Sequence, residues 1–421
     1  MSRNRPHTLR AFQPLKLRDY RLLFATVGLS LFATGVWTIV MVFQVLALND
    51  SPLALSTVAT GMSLGLFAFA MPGGVLADRF SKRKIIIVVQ GVNALTMSLI
   101  AVLSLSGLVQ LWQLGIASFV VGAGAAFFYP AYSAYLPRVL PAEQLLAANG
   151  LEGALRPTMQ QGLGPALGGA VVGASFPAVG AVIVAAGFAL AFSATLLLSR
   201  AGESVTRSES DERPSVLDDL KAGYSYVVRT RWLLWTLLFG SMLALVIQGP
   251  IEVLLPFIAR ERFADAESTF GILLAAYGIG GAIGSLLVSS WKLPRRYLTV
   301  MLTCWGGAAL PLVVLGLTHS LSVMLTALFL VGATSGAGVV LWGTLLQRLV
   351  PPEMIGRVAS LDFFVSIAFM PISIAIAGPL SLLVPIHTIF VGAGVIPPIL
   401  ALVAIMAGRM RESELQHPLD V

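Results

Sequence analysis

The stretch Gly73-Gly74-Val75-Leu76-Ala77-Asp78-Arg79-Phe80-Ser81-Lys82-Arg83-Lys84 decides how this chain is read. An apolar run of about 25 residues precedes it and one of about 20 follows, each the length of a membrane crossing. Between them, one carboxylate and four cations fall within positions 78–84. Each such charge costs roughly 2.5–3.5 kcal/mol at the centre of a bilayer, so the cluster cannot lie in hydrocarbon. It must be a tight, wet hairpin between two membrane helices, and its cations place it on the cytoplasmic side.

Composition agrees. Hydrophobic residues make up 57% of the 421 and charged residues only 11%, against about 25% charged in soluble domains. With a mean hydropathy of +0.87, the chain reads as an all-α polytopic membrane protein. The net charge of +7 is spread over loops rather than gathered on one face, which argues against nucleic-acid binding. The single cysteine, Cys304, excludes an internal disulfide and a cysteine metal cluster. No cleavable signal peptide is expected, because the first apolar run is too long for one.

Windowed hydropathy predicts twelve spans, near 22–48, 53–77, 85–105, 109–136, 146–173, 178–199, 233–258, 268–290, 297–317, 321–347, 358–383 and 388–408. The organisation expected is a cytoplasmic tail (1–21), a six-helix half (22–199), a cytoplasmic linker (200–232), a second six-helix half (233–408) and a cytoplasmic tail (409–421). This topology puts 25 of the 27 lysines and arginines inside, leaving only Arg260 and Arg262 outside. An odd number of spans or an inverted orientation would destroy that asymmetry.

The halves are related by an internal repeat. Adding 210 takes Gly74 to Gly284, Lys82 to Lys292, Gly122 to Gly332, Arg138 to Arg348, Pro141 to Pro351 and Glu152 to Asp362. On the same offset Val288 replaces Asp78, so the second hairpin lacks the acid. Parallel repeats of this kind build transporters whose substrate site lies between the halves near the midplane.

Several motifs resemble those of the major facilitator superfamily. In the first hairpin Gly74, Leu76, Ala77, Asp78, Arg79, Lys82 and Arg83 fit the signature loop between helices two and three, with Ser81 where the family has glycine. Gly164-Pro165-Ala166-Leu167-Gly168-Gly169 resembles the fifth-helix motif of exporters; read from the residues alone, its small side chains mark a close helix crossing. With Ala125–Ala131, Pro141–Leu145 and Gly356-Arg357-Val358, the chain is similar to the bacterial drug and siderophore exporter branch. The resemblance implies two pseudo-symmetric six-helix halves, alternating access and proton-driven export of drugs or drug-like amphipathic compounds. It further implies no enzymatic activity, no metal and no cofactor beyond the proton gradient, and a monomer in the plasma membrane. A dedicated siderophore or metabolite exporter is the alternative, and a non-transporting sensor a third. Two departures weaken the usual coupling scheme: Ser118 replaces an arginine in helix four, and Val36 an aspartate in helix one.

Acids within the spans are the coupling candidates, because burying them unpaired is costly. They are Glu252, Asp362 and Glu152. Glu252 follows Gly249-Pro250, where a helix can bend and expose a carboxylate. Glu152 and Asp362 lie near the starts of helices five and eleven. There they either sit favourably at a helix N-terminus or latch the basic hairpins, Asp362 to Arg79 or Lys82 and Glu152 to Lys292 or Arg295. Arg156, four residues after Glu152, is an alternative partner. Substrate contacts are expected among Trp37, Gln44, Asn93, Tyr129, Tyr132, Gln248 and Trp342, although any one of them serves helix packing or interface anchoring more often than ligand contact.

Overall fold

The computed structural model describes residues 12–199, 216–290 and 294–416. Residues 1–11, 200–215, 417–421, Lys292 and the side chain of Asp78 lie outside the described set. No strand occurs among the described residues. That is the outcome hydrocarbon imposes, since only a helix satisfies its backbone within the segment.

The helices are α1 (Arg18–Leu48), α2 (Pro52–Arg79), α3 (Lys82–Leu105), α4 (Leu111–Val139), α5 (Ala142–Leu155), α6 (Gly164–Ala174), α7 (Pro177–Leu196), α8 (Val216–Arg229) and α9 (Arg231–Gly249). They continue with α10 (Leu255–Arg262), α11 (Ala266–Ser289), α12 (Tyr297–Gly307), α13 (Pro311–Leu317), α14 (Leu321–Leu349), α15 (Pro352–Leu383), α16 (Ile386–Ala407) and α17 (Met410–Gln416). Among the described residues eleven helical spans are long and apolar enough to cross a membrane. The fifth span completes twelve as α5 and α6 joined by a π-helical segment, Arg156–Leu163. The span expected at 146–173 is thus divided, its wide turn lying just before Pro165. The seventh span is likewise broken, α9 passing through a π-helical Pro250–Leu254 into α10, and the ninth is α12 and α13 with Ala308–Leu310 between them.

Two compact units emerge. The first comprises Met1–Asp50, Val58–Ser208 and Asp265–Ala275, and the second Ser51–Thr57, Glu209–Ala264 and Ala276–Val421. In the first, α1 is the central element: 78% of its most apolar window is buried. It packs on α7 and on the fifth span, while α3 packs on α4 and α7. Its hydroxyls form a ladder along one face, Thr26, Ser30, Thr34 and Thr38 each donating to the carbonyl four residues earlier. Polar groups inside an apolar core are thereby satisfied within the helix, and Ser30 also reaches Gln90 Oε1 of α3 at 3.0 Å. In the second unit, α9 lies against α15 and α16, and α12 and α13 against α14 and α16. The short α17 closes it: Met410 is fully buried, and the buried Glu414 accepts from the Thr299 backbone N–H at 2.7 Å and from its Oγ1 at 3.1 Å.

Glycines set the helix crossings in both units. A β-carbon on Gly65 would overlap the Phe119 carbonyl, and one on Gly122 the Met62 carbonyl. In the second unit Gly280 stands so against Phe329, and Gly332 against Tyr277. The repeat is therefore real, but it has two offsets. Phe119 to Phe329 and Gly122 to Gly332 are 210 apart, whereas Gly65 to Gly280 and Met62 to Tyr277 are 215. The equation of Gly74 with Gly284 is corrected accordingly: Gly284 packs on the Ala333 backbone, while a β-carbon at Gly74 would meet nothing within 4 Å. Gly73, against Ala126, is the tight position of the first hairpin.

Arg262, one of the two cations expected outside, is spent on structure. Its guanidinium donates to the carbonyls of Leu315 (2.6 Å), Gly316 (2.8 Å) and Thr318, closing the C-terminal end of α13.

Candidate functional site

The seventh span meets, where it breaks, a side chain 124 residues away. The Ser373 hydroxyl of α15 accepts from the Gly249 N–H at 2.8 Å and donates to the Leu245 carbonyl at 2.6 Å. Those two backbone groups are the i and i−4 positions of an α-helical turn, and the hydroxyl bridges them immediately before the wide turn. Pro250 then lacks the next donor. The chain takes one wide turn, and Glu252 lies inside it. π-Turns of this kind recur at functional positions because they re-aim side chains. Gly249 permits the close approach: a β-carbon there would overlap the Ser373 carbonyl and lie 2.9 Å from Ala377.

Glu252 is half-buried and accepts one hydrogen bond, from Gln248 Nε2 at 2.7 Å. Tyr277, which hydrogen-bonds Ser335, stands within electrostatic range. Glu252 lies five to six residues, about 8 Å along the axis, from the middle of Arg231–Arg262. It is a membrane-embedded carboxylate with a neutral amide for company.

Asp362 is also set deep. Helix α15 begins at Pro352, capped by Pro351, so Asp362 is its eleventh residue. Glu152 is likewise the eleventh residue of α5. Both are beyond the reach of the helix dipole, which fades within the first turn, and the N-terminal reading is corrected. The acids that occupy first turns are Glu143 and Glu353. Asp362 Oδ2 accepts from Trp342 Nε1 at 2.9 Å and Oδ1 from Ser366 Oγ at 3.3 Å. Glu152 faces the hydroxyls of Tyr20 and Tyr132 and the charge of Arg156. Arg156 lies over the Tyr129 ring, 4.6 Å from its centroid.

The first hairpin turns without a left-handed residue. Ser81 has φ −58° and caps α3, its hydroxyl accepting from the Lys84 N–H at 3.4 Å. Serine in place of glycine therefore brings no strain and adds a cap. Arg83 reaches back to the Leu198 carbonyl at 3.1 Å and that of Leu196, at the end of α7. Arg79 is exposed at the end of α2. Arg357, near the start of α15, packs beside Gly223 of α8, where a β-carbon would lie 3.2 Å from its carbonyl.

The Gly164-Pro165-Ala166-Leu167-Gly168-Gly169 stretch serves two crossings at once. β-Carbons on Gly164 and Gly168 would press on α1, 2.8 Å from Gly35 Cα and 3.2 Å from Ile39 Cβ. One on Gly169 would lie 2.6 Å from the Glu267 carbonyl, and Gly271 meets the Pro165 carbonyl at 2.5 Å. The motif thus seats the start of α11 in the first unit. Gly378 of α15 similarly meets the start of α2, 2.6 Å from the Pro52 carbonyl, within the second.

Of the expected substrate contacts, Trp37, Gln44, Asn93 and Tyr132 are at least nine-tenths buried. Trp37 Nε1, Gln44 Oε1, Asn93 Oδ1 and the Tyr132 hydroxyl nevertheless find no hydrogen-bond partner of normal geometry. Natural cores rarely leave so many polar atoms unsatisfied. Tyr129, Gln248 and Trp342 are each engaged with a charged residue: Arg156, Glu252 and Asp362. Sequence reasoning missed Ser373, Tyr277 and Ser335, whose only signal was a hydroxyl inside an apolar span.

A family model described as transmembrane secretion effector matches residues 9–418. The chain belongs to that family of major facilitator transporters. Relatives include macrolide efflux protein A of Streptococcus pyogenes, 23% identical over 95% of this chain and 100% of that one. The multidrug efflux pump Tap of Mycolicibacterium fortuitum is 27% identical over 96% of this chain and 97% of its own. The enterobactin exporter EntS of Escherichia coli is 26% identical over 81% of this chain and 80% of its own. Among solved structures, a POT family transporter aligns with a TM-score of 0.73 at 14% identity, covering 94% of this chain and 97% of that one. A nucleoside transporter, NupG, aligns at 0.71 and 12%, covering 92% and 98%. These structures establish the fold. The protein is a multi-pass membrane efflux transporter of the major facilitator type, with a small-molecule substrate, and not an enzyme.

Proposed function

We propose that this secretion effector exports amphipathic, drug-like molecules from the cytoplasm in exchange for protons, with Glu252 as the coupling acid. The observation that carries the reading is the π-turn at Pro250–Leu254, which holds a carboxylate inside a membrane span hydrogen-bonded to the neutral amide of Gln248. A carboxylate so placed is costly to keep charged and unpaired, so it must take up a proton or meet a cation. Tap and macrolide efflux protein A, relatives along almost the whole chain, support drugs as the cargo. EntS supports a siderophore as the second reading.

In this reading the termini face the cytoplasm, the protein acts as a monomer, and no cofactor is needed. Alternating access, in this reading, exposes a substrate site to either side of the membrane in turn. The driving force suffices: one proton entering down about 100 mV yields roughly 2.3 kcal/mol, and one pH unit adds about 1.4. Together these support a concentration gradient of several hundredfold. Asp362 and Glu152 are the alternative coupling sites. The test is export by Glu252→Gln in everted membrane vesicles energised with a proton gradient. Loss of proton-driven uptake with retained ligand binding is expected. Undiminished uptake would move coupling to another acid.

A further inference from the structure

We propose that Asp362 and Trp342, with Ser366, form a recognition site for the cationic nitrogen of an organic-cation substrate. The inference rests on the export reading above and specifies which substrates the second unit selects.

The argument starts from what Asp362 has and lacks. It lies about 8 Å along the axis from the middle of α15, in a predominantly apolar helix. An ionised carboxylate offers about four acceptor directions, and two are filled, by Trp342 Nε1 and Ser366 Oγ. Both donors are neutral. Among the described residues no lysine or arginine forms an ion pair with it. The half-filled shell leaves acceptor directions for a ligand, and the missing charge is a positive one.

Trp342 supplies the second element. Its indole N–H points at the carboxylate, which fixes the pyrrole edge beside Asp362 and keeps the π-system next to the anion. A carboxylate beside an indole is the pairing by which proteins hold ammonium groups, the ring face adding attraction for a cation that sheds water. Trp342 is only partly buried, packed at the border of the second unit's core rather than inside it. Ser366, one turn after Asp362 on the same helix, fixes the other carboxylate oxygen, so the acceptor is oriented before any ligand arrives.

The contrast with Glu252 separates the two roles. Glu252 has a flexible amide for a partner and sits in a wide turn that can rearrange, which suits a group that exchanges a proton. Asp362 sits in a continuous helix, held rigidly beside an aromatic ring, which suits a group that holds a cation.

The experiment uses the full chain with two probes, the organic cation ethidium and the neutral chloramphenicol. Binding of ethidium is measured by fluorescence on protein in nanodiscs, and export of both by accumulation in a pump-deficient bacterium. Asp362→Asn is nearly isosteric, and Trp342→Phe keeps a ring while removing the N–H. Size-exclusion profiles establish that each variant folds. The proposal expects Asp362→Asn to weaken ethidium binding at least tenfold and Trp342→Phe several-fold. The loss should be selective, ethidium export falling by more than chloramphenicol export, and Asp362→Glu should restore part of the ethidium binding. Ethidium binding unchanged in both variants would overturn it, as would a parallel loss of chloramphenicol export. Wild-type protein that exports neither compound would instead sink the multidrug reading on which the site depends.

Discussion

Replacing Ser373 with alanine tests whether the seventh-span break is what presents Glu252. In the wild type the hydroxyl satisfies both the Gly249 N–H and the Leu245 carbonyl. Removing it strips two hydrogen bonds, but the freed groups are i and i−4 neighbours and can bond to each other. One buried bond is recovered, so the net loss is about one, roughly 1–2 kcal/mol. A fall in Tm of roughly 1–2 °C follows for a protein of this size. The functional effect should be larger. Closing a π-turn shifts the register of all that follows by one residue, about 100° around the axis. Glu252 would then swing away from Gln248 and Tyr277. Proton-driven export should fall at least tenfold while ligand binding stays within about twofold, and Ser373→Thr, which keeps the hydroxyl, should retain activity. Thermal unfolding in detergent and uptake into everted vesicles measure the two quantities. Ser373→Ala protein with wild-type Tm and wild-type export would refute the claim that this hydroxyl shapes the site.

Other residues give independent tests. Gly332→Ala drives a β-carbon into the Tyr277 backbone and should abolish folded protein on size exclusion, whereas Gly74→Ala, with nothing within 4 Å, should behave as wild type. Arg262→Gln removes a charged cap from three carbonyls of α13 and should cost about 2 kcal/mol; Arg262→Lys, which cannot fork across them, should recover less than half in a denaturation series. Glu414→Ala leaves the Thr299 N–H without its partner and should destabilise by about 1–2 kcal/mol, read as a lower Tm with export intact below that temperature.

The chain's class and its alternation of apolar spans with charged turns were legible because they rest on local charge. Asp78, Arg79, Lys82, Arg83 and Lys84 cannot enter hydrocarbon, and the lysines and arginines elsewhere repeat the message. The repeat was legible as an offset of 210, but the 215 of the eighth helix was not, because only the glycine crossings against the fourth and tenth helices fix register. The acids were legible as candidates, while their surroundings were not: Trp342 lies 20 residues from Asp362, and Ser373 lies 124 from Gly249. Helix starts were misplaced by several residues because polar first turns extend beyond the apolar window. Proline at 141 and 351 marked the true starts.

The most direct measurement is accumulation of tetracyclines, macrolides, phenicols and ethidium in a pump-deficient bacterium, with and without protonophore, for wild type and Glu252→Gln. Reduced accumulation by the wild type, reversed both by protonophore and by the substitution, is the predicted result. Export by Glu252→Gln that remains sensitive to protonophore would contradict the assignment of Glu252, and a wild type that leaves every compound's accumulation unchanged would contradict multidrug export itself.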